Sequence, residues 1–342
     1  MSVRRSTIID VAQLAGVSRQ TVSRVLNASP NVSKKTEKKV LSVMKKLKYR
    51  PDSLARSMVT RRTYLLGALT RDLRYTHSQI LEGAEIWARK AGFQIVISGC
   101  EHNEHGEPVH SPLLYGQRFD GLLIVYQGSR LDTYEILDEV LEDIPIVSIG
   151  YAANKPRVTS ISIENRKAAR QATQHLISLG HRRIGHITGP RYYFDCEQHR
   201  LGYLDALKKA GLPPDKSLIA EGSWTEESGY AAANRLLENG RKLTAIFCQN
   251  DWMALGCLKA LREHGIRVPE DIAIVGFDNI PPARFIDPPL TTVNYPGIQL
   301  GMLCVKVLMA RIRGDRSPLK KFLADREISI EPELIVRSSC GS

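Results

Sequence analysis

A chain of 342 residues, 43% apolar and 25% charged, is long enough for two or three compact domains and too apolar for disorder or a fibrous repeat. Its formal charge of +12 is uneven: residues 1–62 hold 15 Lys and Arg against Asp10, Glu37 and Asp52, while the remainder balances at 33 of each sign. That asymmetry points to a basic module bound for a polyanion, joined to a neutral core with another task.

No apolar run approaches 18 residues and the N-terminus carries no apolar signal core, so membrane insertion and export are not expected. The six cysteines, at 100, 196, 248, 257, 304 and 340, show no C-x-x-C spacing and fit free thiols in a reducing cytosol. P-loop, dinucleotide, nucleophile-elbow and H-E-x-x-H signatures are missing from the sequence. An enzyme, a cofactor and a resident metal are therefore not expected.

Thr7 with Asp10 three positions on has the capping-box pattern ahead of Val11, Ala12, Leu14 and Ala15, so a first helix starts there and Gly16 breaks it. Ser18 caps a second helix running to about Asn27, with Val22, Val25 and Leu26 at helical spacing. Ser33 starts a third, whose Val40, Val43, Met44 and Leu47 follow i, i+3, i+4, i+7. The face left over carries Lys34, Lys35, Lys38, Lys39, Lys45, Lys46 and Lys48. Pro51 closes the unit, since its ring forbids helix continuation and restricts Arg50. Asp52 can cap a short segment over 53–60; about two turns are marginal alone in water, so it orders only when something packs against it.

From Tyr64 onward, apolar runs at 65–70, 93–98, 121–126, 145–150, 183–188, 245–248 and 272–277 alternate with helical stretches at 79–91, 165–179, 197–210, 226–238, 251–264 and 297–313. This is the pattern of βαβ units, with parallel sheets and ligands at the carboxyl ends of the strands. About 280 residues is large for one sheet, so two similar lobes are expected. The connection 101–118 contains Gly106, Pro108, Pro112 and Gly116 and is expected to be irregular. Its His102, His105 and His110 lack acids or cysteines at ligand spacing and read as solvated loop residues.

Residues 7–27 read as a helix-turn-helix. Arg19 and Gln20 open its second helix and Arg24 follows one turn later; Arg can read guanine O6/N7 and Gln adenine N6/N7 in the major groove. Ser18, Thr21, Ser23 and Asn27, with Ser33 at the next cap, are short hydrogen-bonding residues suited to phosphate oxygens. The alternative, a solvated amphipathic pair, is disfavoured because fold, charge and residue type agree.

On these residues the chain resembles the lactose/purine repressor family of bacterial transcription regulators, over essentially its whole length. The likeness continues through Tyr49-Arg50-Pro51-Asp52-Ser53-Leu54-Ala55-Arg56-Ser57-Met58, Phe119-Asp120-Gly121-Leu122-Leu123 and Leu179-Gly180-His181-Arg182-Arg183-Ile184-Gly185. Val275-Gly276-Phe277-Asp278-Asn279, Pro288-Pro289-Leu290-Thr291-Thr292-Val293 and Glu333-Leu334-Ile335-Val336-Arg337 complete it. The resemblance implies an all-α helix-turn-helix headpiece over 1–50, a hinge helix over 51–62 and an α/β effector-binding core over 63–342. That core would be of the two-lobed periplasmic-binding-protein type I, with parallel doubly wound sheets. One lobe would comprise about 63–160 and 294–322, the other about 161–293 and 323–342.

The function it implies is a cytoplasmic repressor that binds a palindromic operator in double-stranded DNA as a homodimer, under allosteric control of a small-molecule effector, a sugar or sugar derivative. Paired hinge helices in the family enter the minor groove, where an apolar residue wedges into a base step; Met58 holds that place here, with Ala55 one turn before. Tetrameric members carry C-terminal leucine heptads, which this sequence lacks after the strand-like 333–337 segment, so a dimer is expected. Trp224 matches the family's aromatic platform for a sugar ring, and Asn250 and Asp278 match polar ligand positions at strand ends. Arg71, Tyr75 and Tyr126 are expected at the cleft. The family's cleft arginine falls on His199 by position and on Arg200 by chemistry; helix neighbours point about 100° apart, so only one can face the ligand. The other class this core could serve is a solute-binding protein of a transport system, disfavoured by the basic headpiece.

Overall fold

The computed structural model describes residues 6–26, 31–49, 62–70, 73–99, 101–102, 108–110, 118–125, 144–150, 158–238, 243–314 and 327–342. The chain divides into two compact units, Met1–Tyr64 and Leu65–Ser342.

In the first unit, α1 (Ile8–Ala15) opens at a reciprocal cap: Asp10 N–H donates to Thr7 Oγ1 at 3.4 Å, and Thr7 N–H donates to the Asp10 carboxylate at 2.7 Å. It closes at Gly16, whose φ of 61° lies in the left-handed region that a β-carbon disfavours. α2 (Arg19–Leu26) starts where Ser18 Oγ accepts from Thr21 N–H at 3.1 Å. α3 (Lys34–Lys46) starts where Ser33 Oγ accepts from Thr36 N–H at 3.2 Å. Val11, Ala12, Ala15, Val22, Val25 and Val40 form the buried centre, with Val43, Met44 and Leu47 packed around it. A core this small leaves caps worth about 1 kcal/mol each as a large share of stability.

The second unit holds two six-stranded sheets. β1 (Leu65–Thr70), β2 (Gln94–Gly99), β5 (Gly121–Val125), β6 (Ile146–Ile149), β7 (Val158–Ile163) and β13 (Glu327–Ile330) run parallel in the order β13-β7-β6-β5-β1-β2. β8 (Ile184–Thr188), β9 (Ile219–Glu221), β10 (Ala245–Cys248), β11 (Ala273–Asp278), β12 (Thr291–Asn294) and β14 (Glu333–Ile335) follow the order β14-β12-β11-β10-β8-β9, with β14 antiparallel. Central strands β5, β8 and β10 are buried along their whole length, as sheets covered by helices on both faces require.

The first sheet is covered by α4 (Tyr75–Ala91) and α9 (Gly297–Arg313), which pack on each other. The second carries two helix pairs: α5 (Asn165–Ser178) with α6 (Phe194–Lys209), and α7 (Glu226–Glu238) with α8 (Asp251–Glu263). α5 and α6 approach so closely that a β-carbon at Gly202 would lie 2.2 Å from the Arg166 carbonyl oxygen. The chain passes between the sheets after Ile163, after Asn294 and after Ile330.

Several elements differ from the sequence reading. The last passage falls between 330 and 333 rather than near 322, because Glu327–Ile330 pairs with β7 in the first sheet. β7 reads V-T-S-I-S-I and β12 T-T-V-N; their hydroxyl residues hide buried strands from a search for apolar runs. β9 has three residues, too few to carry a pattern. α4 starts at Tyr75, four residues before the expected 79, and α6 at Phe194, three before the expected 197. In the connection expected to be irregular, β3 (Glu101–His102) and β4 (Pro108–His110) pair antiparallel; the rest of 103–117 lies outside the described residues.

Candidate functional site

Two surfaces carry the chemistry. On the headpiece, the apolar stripe of α2 turns Val22 and Val25 inward, which leaves Arg19, Gln20 and Arg24 exposed along the opposite side. Ser18 and Thr21 hydroxyls lie 2.9 Å apart at the helix start, and Ser23 is half-buried. Ser18 and Ser33 thus both serve as caps, a duty that leaves an exposed hydroxyl with spare hydrogen-bonding capacity. The lysines of α3, with Lys48, are exposed. Asn27 and the hinge residues Ala55 and Met58 lie outside the described residues.

The second surface is a cavity of about 120 Å³ within the larger unit. One wall comes from the first turn of α4, Arg74 to His77; the rest comes from Asn165, Tyr193, Asp195, His199, Trp224, Gln249, Asn250, Trp252, Phe277, Asp278 and Tyr295. β1, β7, β8, β10 and β11 all aim their carboxyl ends here, the place where open parallel sheets bind ligands.

The Trp224 indole rests on Gly189, where an added β-carbon would fall 2.4 Å from the ring, and meets Tyr193 edge-on at 6.0 Å. Trp224 and Asp278 both have positive φ, 71° and 106°. Such backbone costs about 1–3 kcal/mol per residue and concentrates at ligand sites. Asn250 holds the tryptophan loop: its Nδ2 donates to the Trp224 carbonyl at 3.0 Å, and its Oδ1 accepts from Met253 N–H at 2.8 Å.

Of the two neighbours on α6, His199 faces the cavity and Arg200 does not. The His199 ring is buried and packs on Phe277 with centroids 4.4 Å apart, and neither ring nitrogen has a hydrogen-bond partner. Burial pushes its pKa down to about 3, so the ring is neutral near pH 7. Arg200 instead grips the Glu197 carboxylate with two bonds of 2.7 Å and lines a separate depression with Arg191 and Lys216. Tyr75 lies in the cavity wall and its hydroxyl accepts from Gln79 Nε2 at 2.7 Å. Arg71 and Tyr126 lie outside the described residues.

Three acids lie at or behind the floor: Asp195 and Asp251 are buried and Asp278 is half-buried. Asp278 is pushed well above the ordinary carboxylate range, first by burial and then by repulsion from Asp251 and Asp195. Burial raises Asp251 to about 7, although it accepts from Thr292 Oγ1 at 2.6 Å and Ile280 N–H at 2.9 Å. Asp195 rises to about 6 for the same reason, opposed by the 2.9 Å bond that Asn165 Nδ2 donates to it. Behind them, Gln249 locks the strand ends. Its Oε1 accepts from Gly189 N–H at 2.9 Å, and its Nε2 donates to His186 Nε2 at 3.0 Å and to the Cys196 carbonyl at 3.1 Å. Since His186 Nδ1 donates to the Phe247 carbonyl at 3.0 Å, the tautomer is fixed.

Asn165, Asp195, Gln249 and His77 escaped the sequence reading. Asp195 sits on the first turn of a helix whose start was placed three residues late; its position just beyond a strand's carboxyl end was the available signal.

Residues 7–52 match the family described as bacterial regulatory proteins, lacI family, and residues 173–340 match a periplasmic binding protein-like domain. The HTH-type transcriptional repressor PurR of Haemophilus influenzae is 35% identical over 339 residues, which span 98% of this chain and 99% of the relative. The chain belongs to the lacI family. Another relative, the HTH-type transcriptional regulator CelR of Thermobifida fusca, is 36% identical over 348 residues, 98% of each chain. Among solved structures, a lac repressor dimer bound to operator and the anti-inducer ONPF covers 99% of this chain and 100% of its own, with a TM-score of 0.84 and 28% identity. A CelR–cellobiose complex covers 98% and 100%, with a TM-score of 0.71 and 35% identity. This lacI-family chain is therefore a DNA-binding transcriptional regulator, with a helix-turn-helix headpiece and a two-lobed core. Among its described residues no helix is long and apolar enough to cross a membrane, and no group of three or more His, Cys, Asp or Glu is placed to hold a metal ion.

Proposed function

We propose that the protein represses transcription as a homodimer on a near-palindromic operator and that a saccharide in the cleft changes its operator affinity. Arg19, Gln20 and Arg24 read base edges, while Ser18, Thr21, Ser23, Asn27 and Ser33 with the α3 lysines hold phosphates. Ala55 and Met58, one set per subunit, enter the minor groove. A regulatory rather than catalytic role is part of this reading.

The observation that carries the effector half is the cavity itself, with the Trp224 ring as a flat apolar wall and the Asp278 carboxyl opening onto it. An aromatic face and a carboxyl group that hydrogen-bonds hydroxyls together suit a polyol. Support comes also from relatives: the CelR structure holds cellobiose, a lacI-family regulator from Enterococcus faecium holds ribose, and the lac repressor dimer sits on its operator. Since Tyr75 belongs to one lobe and Trp224, Asn250 and Asp278 to the other, a ligand touching both biases their relative placement by its differential affinity for the two arrangements. A coupling of about 1–3 kcal/mol changes operator affinity roughly 5–150-fold.

The test is fluorescence anisotropy on operator DNA selected from a randomised pool, with and without a saccharide panel. A shift of operator affinity by any saccharide supports the reading; a response confined to nucleobases, or no response to any compound, overturns the effector half.

A further inference from the structure

Resting on the saccharide reading above, we propose that the cleft selects by charge: it takes a single-ring saccharide in uncharged or aminated form and rejects the same ring carrying a phosphate or carboxylate. The amide donors are largely engaged: Gln249 Nε2 spends both protons on His186 and the Cys196 carbonyl, while Asn250 Nδ2 and Asn165 Nδ2 each commit one, to the Trp224 carbonyl and to Asp195. The acceptors are less committed. Asn165 Oδ1 is buried with no hydrogen-bond partner, a neutral His199 offers one bare ring nitrogen, and the Asp195 and Asp278 carboxyls line the same space.

Buried polar groups in folded proteins are nearly always satisfied, so His199, 4% exposed with both nitrogens unpartnered, marks where ligand atoms belong. Its two nitrogens fit two ligand hydroxyls, one donating to the bare nitrogen and another accepting from the ring N–H. A phosphate has no proton to give the bare acceptors and brings a second negative charge beside Asp195.

The arginine of the cavity wall, Arg74, has an acid nearby: its charge acts on Glu227. A neighbouring depression holding Arg284 and Arg337 shares Tyr75 and Asp278 with the cavity as its wall. Arg337 is tied there to the Leu290 carbonyl at 2.6 Å and to Asn279 Oδ1 at 2.7 Å. A volume of about 120 Å³ is of the order of the roughly 150 Å³ that accommodates one six-membered ring.

The experiment is calorimetric titration of the full chain with the common aldohexoses and pentoses, each as the neutral sugar, the 2-amino sugar, the terminal phosphate and the uronate, which keeps the ring, with adenine and guanine alongside. The expected result is binding of a neutral or amino sugar, with its phosphate and uronate weaker by about thirtyfold or more. A phosphate that binds as well as its parent sugar, or better, overturns the charge selection while leaving the saccharide reading intact. Binding of nucleobases alone, or of nothing in the panel, overturns both. His199→Arg then supplies the missing cation and Asp195→Asn removes the opposing charge. Melting curves identify folded variants, and either one should narrow the sugar-to-phosphate ratio by about tenfold. An unchanged ratio in folded Asp195→Asn would contradict the account even if His199→Arg fails to fold.

Discussion

The headpiece and the cleft are built by opposite means. In the headpiece the functional residues are exposed and the bonds that shape them are local: Thr7 with Asp10, Ser18 with Thr21 and Ser33 with Thr36 are all three residues apart. In the cleft they are buried or half-buried and held by bonds that span long stretches of chain, as between Gln249 and His186, 63 residues apart, and Thr292 and Asp251, 41 apart. A surface site of the first kind can change one residue at a time. A buried site of the second kind is held by a network in which every lost partner leaves a desolvated group behind.

That contrast can be broken by substitution. The largest effect is expected at Gly202: valine would drive its β-carbon into the Arg166 carbonyl and force α5 from α6. The core should lose about 3 kcal/mol or more in urea titration and saccharide binding should vanish. On the headpiece, Arg19→Ala should cost about 1–3 kcal/mol for its preferred operator and alter the bases recovered from randomised-site selection, with the core's melting temperature unmoved.

A pH series separates the regions further. Asp195 has its pKa raised from 3.8 to about 6 in the folded protein, so the folded state binds more protons than the unfolded one between those values. Stability from this group therefore falls as pH rises from about 4 to 6. Asp195→Asn keeps the oxygen that accepts from Asn165 and removes the charge. It should stabilise the core by about 1–3 kcal/mol at pH 8 and much less at pH 4, as urea titrations at the two pH values would show. The smallest effect is expected at Lys39, where alanine should weaken all DNA sequences alike and flatten the salt slope of binding by about one unit at most.

The same contrast explains what the amino-acid sequence disclosed. Caps and apolar stripes at 3.6-residue spacing located α1 to α3, because those elements are specified by neighbours along the chain. Apolar runs located β1, β5, β8 and β10, each buried on both faces. β12 stayed hidden because its Thr291 and Thr292 are buried through hydrogen bonds to Arg337 and Asp251, partners that folding alone brings near. The family pattern singled out Trp224 and Asp278, and both line the cavity. Asp195 and Asn165 were missed, since their meeting depends on how tightly α5 and α6 approach at Gly202. Which of His199 and Arg200 faces inward was likewise decided by packing: Phe277 takes the imidazole, and Glu197 takes the guanidinium.

The claim that joins the two regions is that occupancy of the cleft sets the grip of the headpiece on DNA. It is tested most directly by paired operator titrations of the parent chain and Asp278→Asn, each with and without a saccharide that binds the parent calorimetrically. The account predicts that the parent's operator affinity shifts roughly 5–150-fold with saccharide, while Asp278→Asn binds the operator within a few-fold of the parent and loses most of that response. A variant that keeps the full response, or a parent whose operator affinity is indifferent to a bound saccharide, would contradict it.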